Sequence, residues 1–517
     1  MLKISFVSLL SILIFSSAIT AKDISDIESE VTKIVTNLHN ANGNFIYGGA
    51  PKVVVNEEKG AGAAYNPKLH ILYLDLEVYN ICMTYGKQHH DALAFVLGHE
   101  LAHCYMEHYI FSNFNQYQKC NGSEMLFEKN ADVYGLFNAY LAGYHSYKIV
   151  PTLIDQIYVA YNLSNQLNGY PAKSERMAVA NEVLSEVKEL ISIHEAANYL
   201  SVVGEYGLSA SSYHYILNYY HGKEIYNNIG LNYALEAMNF TDKEYDLYLY
   251  PLEIDWETRI KKPKLDRGGD KLSPSEKTKR IELLEKALKN FQIASQMDPS
   301  YYTAHVNIVS TLSLLEREAE AIDYYVKISK SGQLVLSTGA EIGKKKLELA
   351  LANAYVKSPF TQHQAIKIYE KYVKSTNKSI SNIARYNLNI LEKGPSTKSD
   401  EFTCLDFDGL GNYLDNVRLH RHTIDIDDTS VLEGSTDLKI EYLENSTVFQ
   451  YYQDGQLLFT LQKAGQVEPI EEHVKVDTYD TNEIINSSIG YFALCRENRT
   501  VLHVGNDNEL ISWAKYY

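Results

Sequence analysis

His99-Glu100-Leu101-Ala102-His103 sets two imidazoles four residues apart with a carboxylate beside the first. On a helix of about 3.6 residues per turn both histidines fall on one face, where they can hold one metal ion. Glu100 then sits within reach of a water on that ion. A second interval of four separates Glu128 from Asp132, in a segment that runs on as Val133-Tyr134-Gly135-Leu136-Phe137 with helical character. Catalytic zinc takes three protein ligands and leaves one position for water, and a ligating histidine donates its other N–H to an acceptor such as a carboxylate. The pattern nominates His99, His103 and Glu128 as metal ligands, Glu100 as the base and Asp132 as the acid that orients a ligand. The competing explanation, buried helix histidines with ordinary surface acids, needs two independent spacings to agree by accident.

These groups need rigid elements around them. From Asp91 to Cys104 apolar residues flank the motif on both sides, which predicts a helix packed deep in a domain. Leu69-His-Ile-Leu-Tyr-Leu-Asp-Leu76 alternates like a half-buried strand.

Gly98-His-Glu-Leu-Ala-His-Cys-Tyr-Met-Glu-His108, followed by Glu128-x-x-Ala-Asp132-x-x-Gly135 and Ala142-Gly143-Tyr144, resembles the HtpX-like and BepA-like zinc metalloendopeptidases of the gluzincin clan. The likeness spans roughly residues 40 to 180. It implies a zincin-like domain with Zn²⁺ on His99, His103 and Glu128, Glu100 as general base and acid, Asp132 as orienting acid, and residues 69–76 as an edge strand that pairs with extended substrate, the alternation itself suiting an ordinary core strand equally well. His108 matches a further family histidine of open role. Tyr170-Pro171-Ala-Lys-Ser-Glu-Arg176 resembles the family's His-Pro motif and distal arginine, with Tyr170 in the histidine's place. A tyrosine O–H there is a candidate oxyanion stabiliser, weighed against packing beside Pro171 in a chain of 42 tyrosines.

Met1-Leu-Lys3, the apolar run Ile4–Phe15 and the small residues to Ala21 read as a cleavable signal, residues 1–21, and no later stretch approaches the roughly 20 apolar residues of a membrane span. An exported protein, periplasmic or extracellular, is expected. Of five cysteines, Cys404 and Cys495 bracket a β-rich segment and are the first pair to test for a bridge; Cys82, Cys104 and Cys120 lie in the metal-site region. The net charge of −17 disfavours nucleic acid or anionic lipid as a partner.

The chain is too long for one core and predicts a multidomain α+β protein of about three parts. Residues 22–190 would form the metallopeptidase domain. Ala287, Phe291, Ala294 and Pro299 fit the second helix of a tetratricopeptide repeat, Ala321 and Tyr325 recur 34 residues on, and Ala365 and Tyr369 recur 44 residues after those. Tyr226, Ile229-Gly230 and Tyr233 fit a first helix, with a polar insertion at about 240 to 278, so residues 191–393 read as an irregular helical-hairpin array for substrate or partner binding. After a linker at 393–400, residues 400–517 read as a small β-rich module, with a hairpin signal in Thr447–Tyr452, Asp454-Gly455 and Leu457–Leu461. His420, His422, Asp425, Asp427 and Asp428 suggest metal but suit solvated loops better. The expected function is a zinc-dependent endopeptidase acting on protein or peptide substrates. The alternative is a cell-envelope chaperone or binding protein with a structural or little-used metal site.

Overall fold

The computed structural model describes residues 23–45, 48–60, 62–112, 124–163, 173–240, 248–252, 272–332, 334, 340–394, 418–426, 435–464, 484–487, 490–495, 499–505 and 510–517, and they form a mixed α+β structure. It opens with helix α1 (Ile24–Asn42), capped by the Asp23 side chain and closed by Gly43 at φ 69°. A left-handed φ suits glycine, and here a Cβ would also overlap the Lys223 side chain at 2.1 Å.

Strands β1 (Lys52–Asn56), β2 (Ala63–Asn66) and β3 (Ile71–Asp75) form a sheet in the order β1-β3-β2. β1 runs parallel to β3, with Lys52 opposite Ile71, and β2 runs antiparallel, with Asn66 opposite Ile71. The strand expected at 69–76 is therefore shorter and central. Its alternation arises because Leu72 and Leu74 are fully buried, and Leu76 already belongs to helix α2 (Leu76–Met83). The edge beside the metal motif is β2 instead. Asp75 ends β3 by accepting the N–H groups of Gly60 (2.7 Å) and Gly62 (2.8 Å) and the Tyr161 hydroxyl (2.8 Å), which pins the loop leading into β2.

Helix α3 (His89–Ser112) carries the metal motif. Ala92 through Leu97, Leu101, Ala102, Cys104 and Tyr105 are all buried, as apolar residues on every side of the motif require. Helices α4 (Glu124–Leu141), α5 (Val150–Ala160) and α6 (Lys173–Val203) complete the surroundings. The boundary expected after residue 190 falls inside α6, whose buried residues continue from Arg176 to Val203. One apolar core runs from Ile27 on α1 to Ala514 near the end of the chain.

The helices α7 (Tyr206–Ile216), α8 (Lys223–Asn239), α9 (Pro274–Met297), α10 (Tyr302–Leu314), α11 (Glu318–Lys330), α12 (Ala340–Val356), α13 (Gln362–Tyr372) and α14 (Lys378–Lys393) follow as packed hairpins. α8 lies along α9, closest at Gly230, where a Cβ would sit 2.8 Å from the Phe291 ring and 2.9 Å from the Ala287 carbonyl oxygen. Ala287, Phe291, Ala294, Ala321, Ala365 and Tyr369 are buried between helices, as their spacing implies. α9 starts where Ser273 and Glu276 form a capping box, with Pro274 in the first turn. Of the insertion, residues 241–247 and 253–271 lie outside the described residues. Its middle returns to the array: the Leu249 N–H donates to Asn387 Oδ1 (2.8 Å), and its carbonyl accepts from Asn353 and Asn387.

Strands β4 (Arg418–Asp425), β5 (Thr436–Leu443), β6 (Ser446–Gln453), β7 (Gln456–Ala464), β8 (Ile484–Ser487), β9 (Gly490–Cys495), β10 (Thr500–Gly505) and β11 (Leu510–Tyr516) make an antiparallel sheet in the order β4-β5-β6-β7-β11-β10-β9-β8. The hairpin expected around Asp454-Gly455 joins β6 to β7, with both turn residues at positive φ. The sheet packs on α6 and α7: Tyr199 hydrogen-bonds Ser512 (2.7 Å) and Ser212 hydrogen-bonds Tyr451 (3.4 Å). His420, His422 and Asp425 lie on strand β4 rather than a loop, with His422 Nε2 2.6 Å from Glu189; Asp427 and Asp428 lie outside the described residues. Cys82 and Cys104 are buried, and burial pushes the Cys82 thiol up to about 12. Cys120 and Cys404, the signal segment and the 395–400 part of the linker lie outside the described residues, and Cys495 is described only in its backbone. Among the described residues no helix is long and apolar enough to cross a membrane.

Three histidines distributed over these layers are held neutral. Burial lowers His39, His221 and His503 to about 4, helped at His39 by the charges of His70 and Lys223 and at His503 by Lys463. An unfolded histidine titrates near 6.5, so on acidification the unfolded chain gains protons first. The stability is intact above about pH 6.5 and is lost as pH falls toward 4, by of order 3 kcal/mol for each histidine. The thermal midpoint should fall through that window, and less steeply in a His39→Gln variant. A midpoint that stays level from pH 6.5 to 4 would contradict this account.

Candidate metal centre

Helices α3 and α4 meet backbone to backbone at two glycines. A Cβ on Gly98 would stand 2.9 Å from the Gly135 carbonyl oxygen, and one on Gly135 would stand 2.6 Å from the Gly98 carbonyl carbon and 2.7 Å from the His99 nitrogen. No side chain fits between the helices there. The close crossing sets the α3 turn that begins at His99 opposite the α4 turns that carry Glu128 and Asp132.

His99, His103 and Glu128 converge as their spacing predicts. His99 Nε2 lies 3.1 Å from His103 Nε2 and 3.2 Å from Glu128 Oε2, and His103 Nε2 lies 3.6 Å from Glu128 Oε1. One donor atom from each residue lies within 4.8 Å of the others. A tetrahedral ion with bonds of about 2.0–2.1 Å holds neighbouring donors about 3.3 Å apart. The three side chains fit such an ion.

Behind the ligands, His99 Nδ1 donates to Asp132 Oδ1 (2.7 Å). That bond leaves the Nε2 lone pair of a neutral His99 facing the other ligands. Asp132 is 1 % exposed, and Arg176 grips both its oxygens, one through Nη2 (2.9 Å) and the other through Nη1. Burial would raise the Asp132 pKa, yet the Arg176 charge and the His99 hydrogen bond carry it down to about 2. His103 stacks on Phe127, with ring centroids 5.1 Å apart, and its buried Nδ1 has no hydrogen-bond partner among the described residues.

The site is built for positive charge. Burial opposes a proton on His99, but Asp132 and Glu128 outweigh it and lift its pKa to about 10. Burial and that neighbouring charge push His103 down to about 4. Burial also works against ionisation of Glu128, but its bond to His99 keeps its pKa below the ordinary value. One proton thus sits where the Glu128 carboxylate and two ring nitrogens face one another, the position a divalent cation would take over.

Glu100, half-buried on α3, points toward the sheet, where its Oε2 accepts the Tyr65 N–H of β2 at 2.9 Å. Burial raises its pKa, with the His99 charge and the Tyr65 bond opposing. A carboxylate shifted upward is closer to the proton affinity that a general base needs near neutral pH. Of the remaining sequence candidates, Tyr170 lies outside the described residues, and His108 lies on α3 with its side chain outside them. The spacing did not reveal the role of Arg176 or the Tyr65 anchor. Arg176 stood in the sequence as the distal arginine of the resemblance, and the need of a buried aspartate for a cationic partner was the clue that would have joined it to Asp132.

Asp132→Ala is expected to weaken zinc binding by about 10- to 100-fold. Gly135→Ala should cost about 1–3 kcal/mol and weaken zinc binding too, because the helices must separate. Gly49→Ala, whose methyl group meets nothing within 4 Å, should change zinc affinity little. Zinc titration with denaturant unfolding of the three variants measures this, and a Gly135→Ala protein that binds zinc like the parent would refute the crossing argument.

Compared with protein-family models and with curated proteins, the chain matches none.

Proposed function

We propose that the protein is a zinc-dependent metalloendopeptidase. The observation that carries this reading is the convergence of His99 Nε2, His103 Nε2 and the Glu128 carboxylate beside an acid, Glu100, that ligates nothing in the set. A purely structural ion has no use for such an acid, and structural zinc sites are usually closed by four protein ligands. His99, His103 and Glu128 would hold the ion, and zinc in such a site supplies Lewis acidity that polarises a carbonyl and acidifies water.

The chain's own residues would do the rest. Glu100 takes the proton of the attacking water and returns it to the departing amine, so that one carboxylate serves as base and then acid. Its bond to the Tyr65 N–H holds it against β2. β2 pairs on one side only, to β3, among the described strands, and is the strand placed to add an extended peptide backbone. Backbone pairing would tolerate varied side chains, which suits protein substrates. The hairpins from α8 to α14 resemble tetratricopeptide repeats in the burial of Ala287, Phe291, Ala321, Ala365 and Tyr369, and would bind substrate or partner protein. The N-terminal segment makes an exported location part of the proposal.

Purified protein should degrade casein, lose activity to a chelator and regain it with zinc. Glu100→Gln should lower kcat by at least about 100-fold while retaining zinc, whereas His103→Ala should lose both. Full activity in Glu100→Gln would end the general-base role. Stable casein binding with no cleavage would favour a client-holding protein.

A further inference from the structure

We propose that Glu30, His89 and His90 form a second divalent-metal site that ties α1 to the start of α3. Glu30 Oε1 lies 3.3 Å from His89 Nε2 and 3.0 Å from His90 Nε2, and one donor atom from each residue lies within 4.8 Å of the others. These separations match the donor spacing of a tetrahedral ion, about 3.3 Å, as they do at the first centre.

Hydrogen-bond accounting points to a cation. His89 Nδ1 lies 2.6 Å from the Gly86 carbonyl oxygen, which can only accept, so that nitrogen carries the proton. A neutral His89 then turns its bare Nε2 lone pair toward Glu30 Oε1, and two lone pairs 3.3 Å apart repel. A cation removes that repulsion: a second proton would serve His89 alone, whereas a metal ion also engages the His90 nitrogen 3.0 Å from the same oxygen. The same Nδ1 contact is the carbonyl partner that a metal-binding histidine characteristically has behind it. Glu30 is oriented as well, since its other oxygen accepts the Tyr79 hydroxyl from α2 at 2.8 Å.

The local backbone explains how adjacent histidines converge. Neighbouring residues on a helix point about 100° apart, but His89 is the first residue of α3 and follows a 3-10 turn, Gly86–Gln88, so the two rings lie 4.0 Å apart. Two imidazoles and one carboxylate suit zinc or another late first-row divalent ion. With side-chain exposures of 17 % at Glu30, 22 % at His89 and 52 % at His90, solvent would complete the coordination. His89 precedes His99 by ten positions on one helix, roughly 15 Å, so the two centres cannot share an ion. The ion would clamp α1, α2 and the first turn of α3, upstream of the catalytic motif.

Zinc content per chain after equilibrium dialysis tests this on the full chain. The parent should hold two ions, and Glu30→Gln and His90→Ala one each. His103→Ala should retain one ion and lose it when Glu30→Gln is added. Zinc should raise the thermal midpoint of His103→Ala by several degrees, and this rise should vanish with Glu30→Gln. Should His103→Ala not fold, the parent and the half-exposed His90→Ala decide the matter alone. Equal zinc content with and without Glu30→Gln overturns the site, and so does a parent that binds a single ion removed by His103→Ala. Either result would leave the peptidase reading standing, because that rests on the other cluster.

Discussion

The contact between Gly98 and Gly135 is the constraint on which the site depends. Side chains between two helices normally hold their axes 8–10 Å apart, and here even one added methyl group would lie within 3 Å of the opposing backbone. Two histidines on α3 and an acid on α4 reach a common point because no side chain intervenes. The same crossing brings Asp132 directly behind His99, so the histidine and its carboxylate partner are set by a single piece of geometry.

The crossing places a carboxylate where water cannot solvate it, and the fold must answer. An unpaired buried charge is costly, and breaking a buried ion pair typically costs 3–5 kcal/mol. Arg176, itself 9 % exposed, meets both oxygens of Asp132 from a third helix. His99 is thereby fixed through a relay that starts on α6, passes through a carboxylate on α4 and ends at the His99 ring on α3, whose Nε2 faces His103 and Glu128. The Arg176 charge and the His99 bond hold the Asp132 pKa at about 2, so the carboxylate stays ionised at neutral and mildly acidic pH.

The convergence of His99, His103 and Glu128 was legible in the sequence because helical periodicity turns an interval of four residues into a shared face. Gly98 and Gly135 stood in the resemblance motif, but sequence cannot tell that two such residues touch. The strand at 69–76 shows the opposite weakness: alternation reports that one face of a strand is buried and carries no information about hydrogen-bonded neighbours, so it left an edge strand and a core strand equally open, and the sheet order selects the central one. Glu30 gave no signal, since its partnership with His89 and His90 depends on α1 folding back across α3. The hairpin at Asp454-Gly455 was legible for the converse reason, as every determinant of a two-residue turn is local.

The position expected to divide the chain, residue 190, lies within a helix, and that continuity tells how the site is braced. Repeat-like spacing begins beyond residue 190, yet the helix that supplies Arg176 runs through that point as one element of 31 residues, about 45 Å long. Its later half is packed on both sides. His194 sits edge-on to Phe137 of α4, with ring centroids 6.0 Å apart. Glu195 accepts the Tyr140 hydroxyl of α4 with one oxygen (3.4 Å) and pairs through the other with Lys463 of β7. Tyr199 then reaches Ser512 on β11. A chain cut at 190 would leave α4 facing solvent where it now faces α6, on the helix that carries both Glu128 and Asp132. The arginine that holds Asp132 behind His99 and the residues that seat the C-terminal sheet therefore share one helix, so the candidate centre and the sheet are braced by the same element.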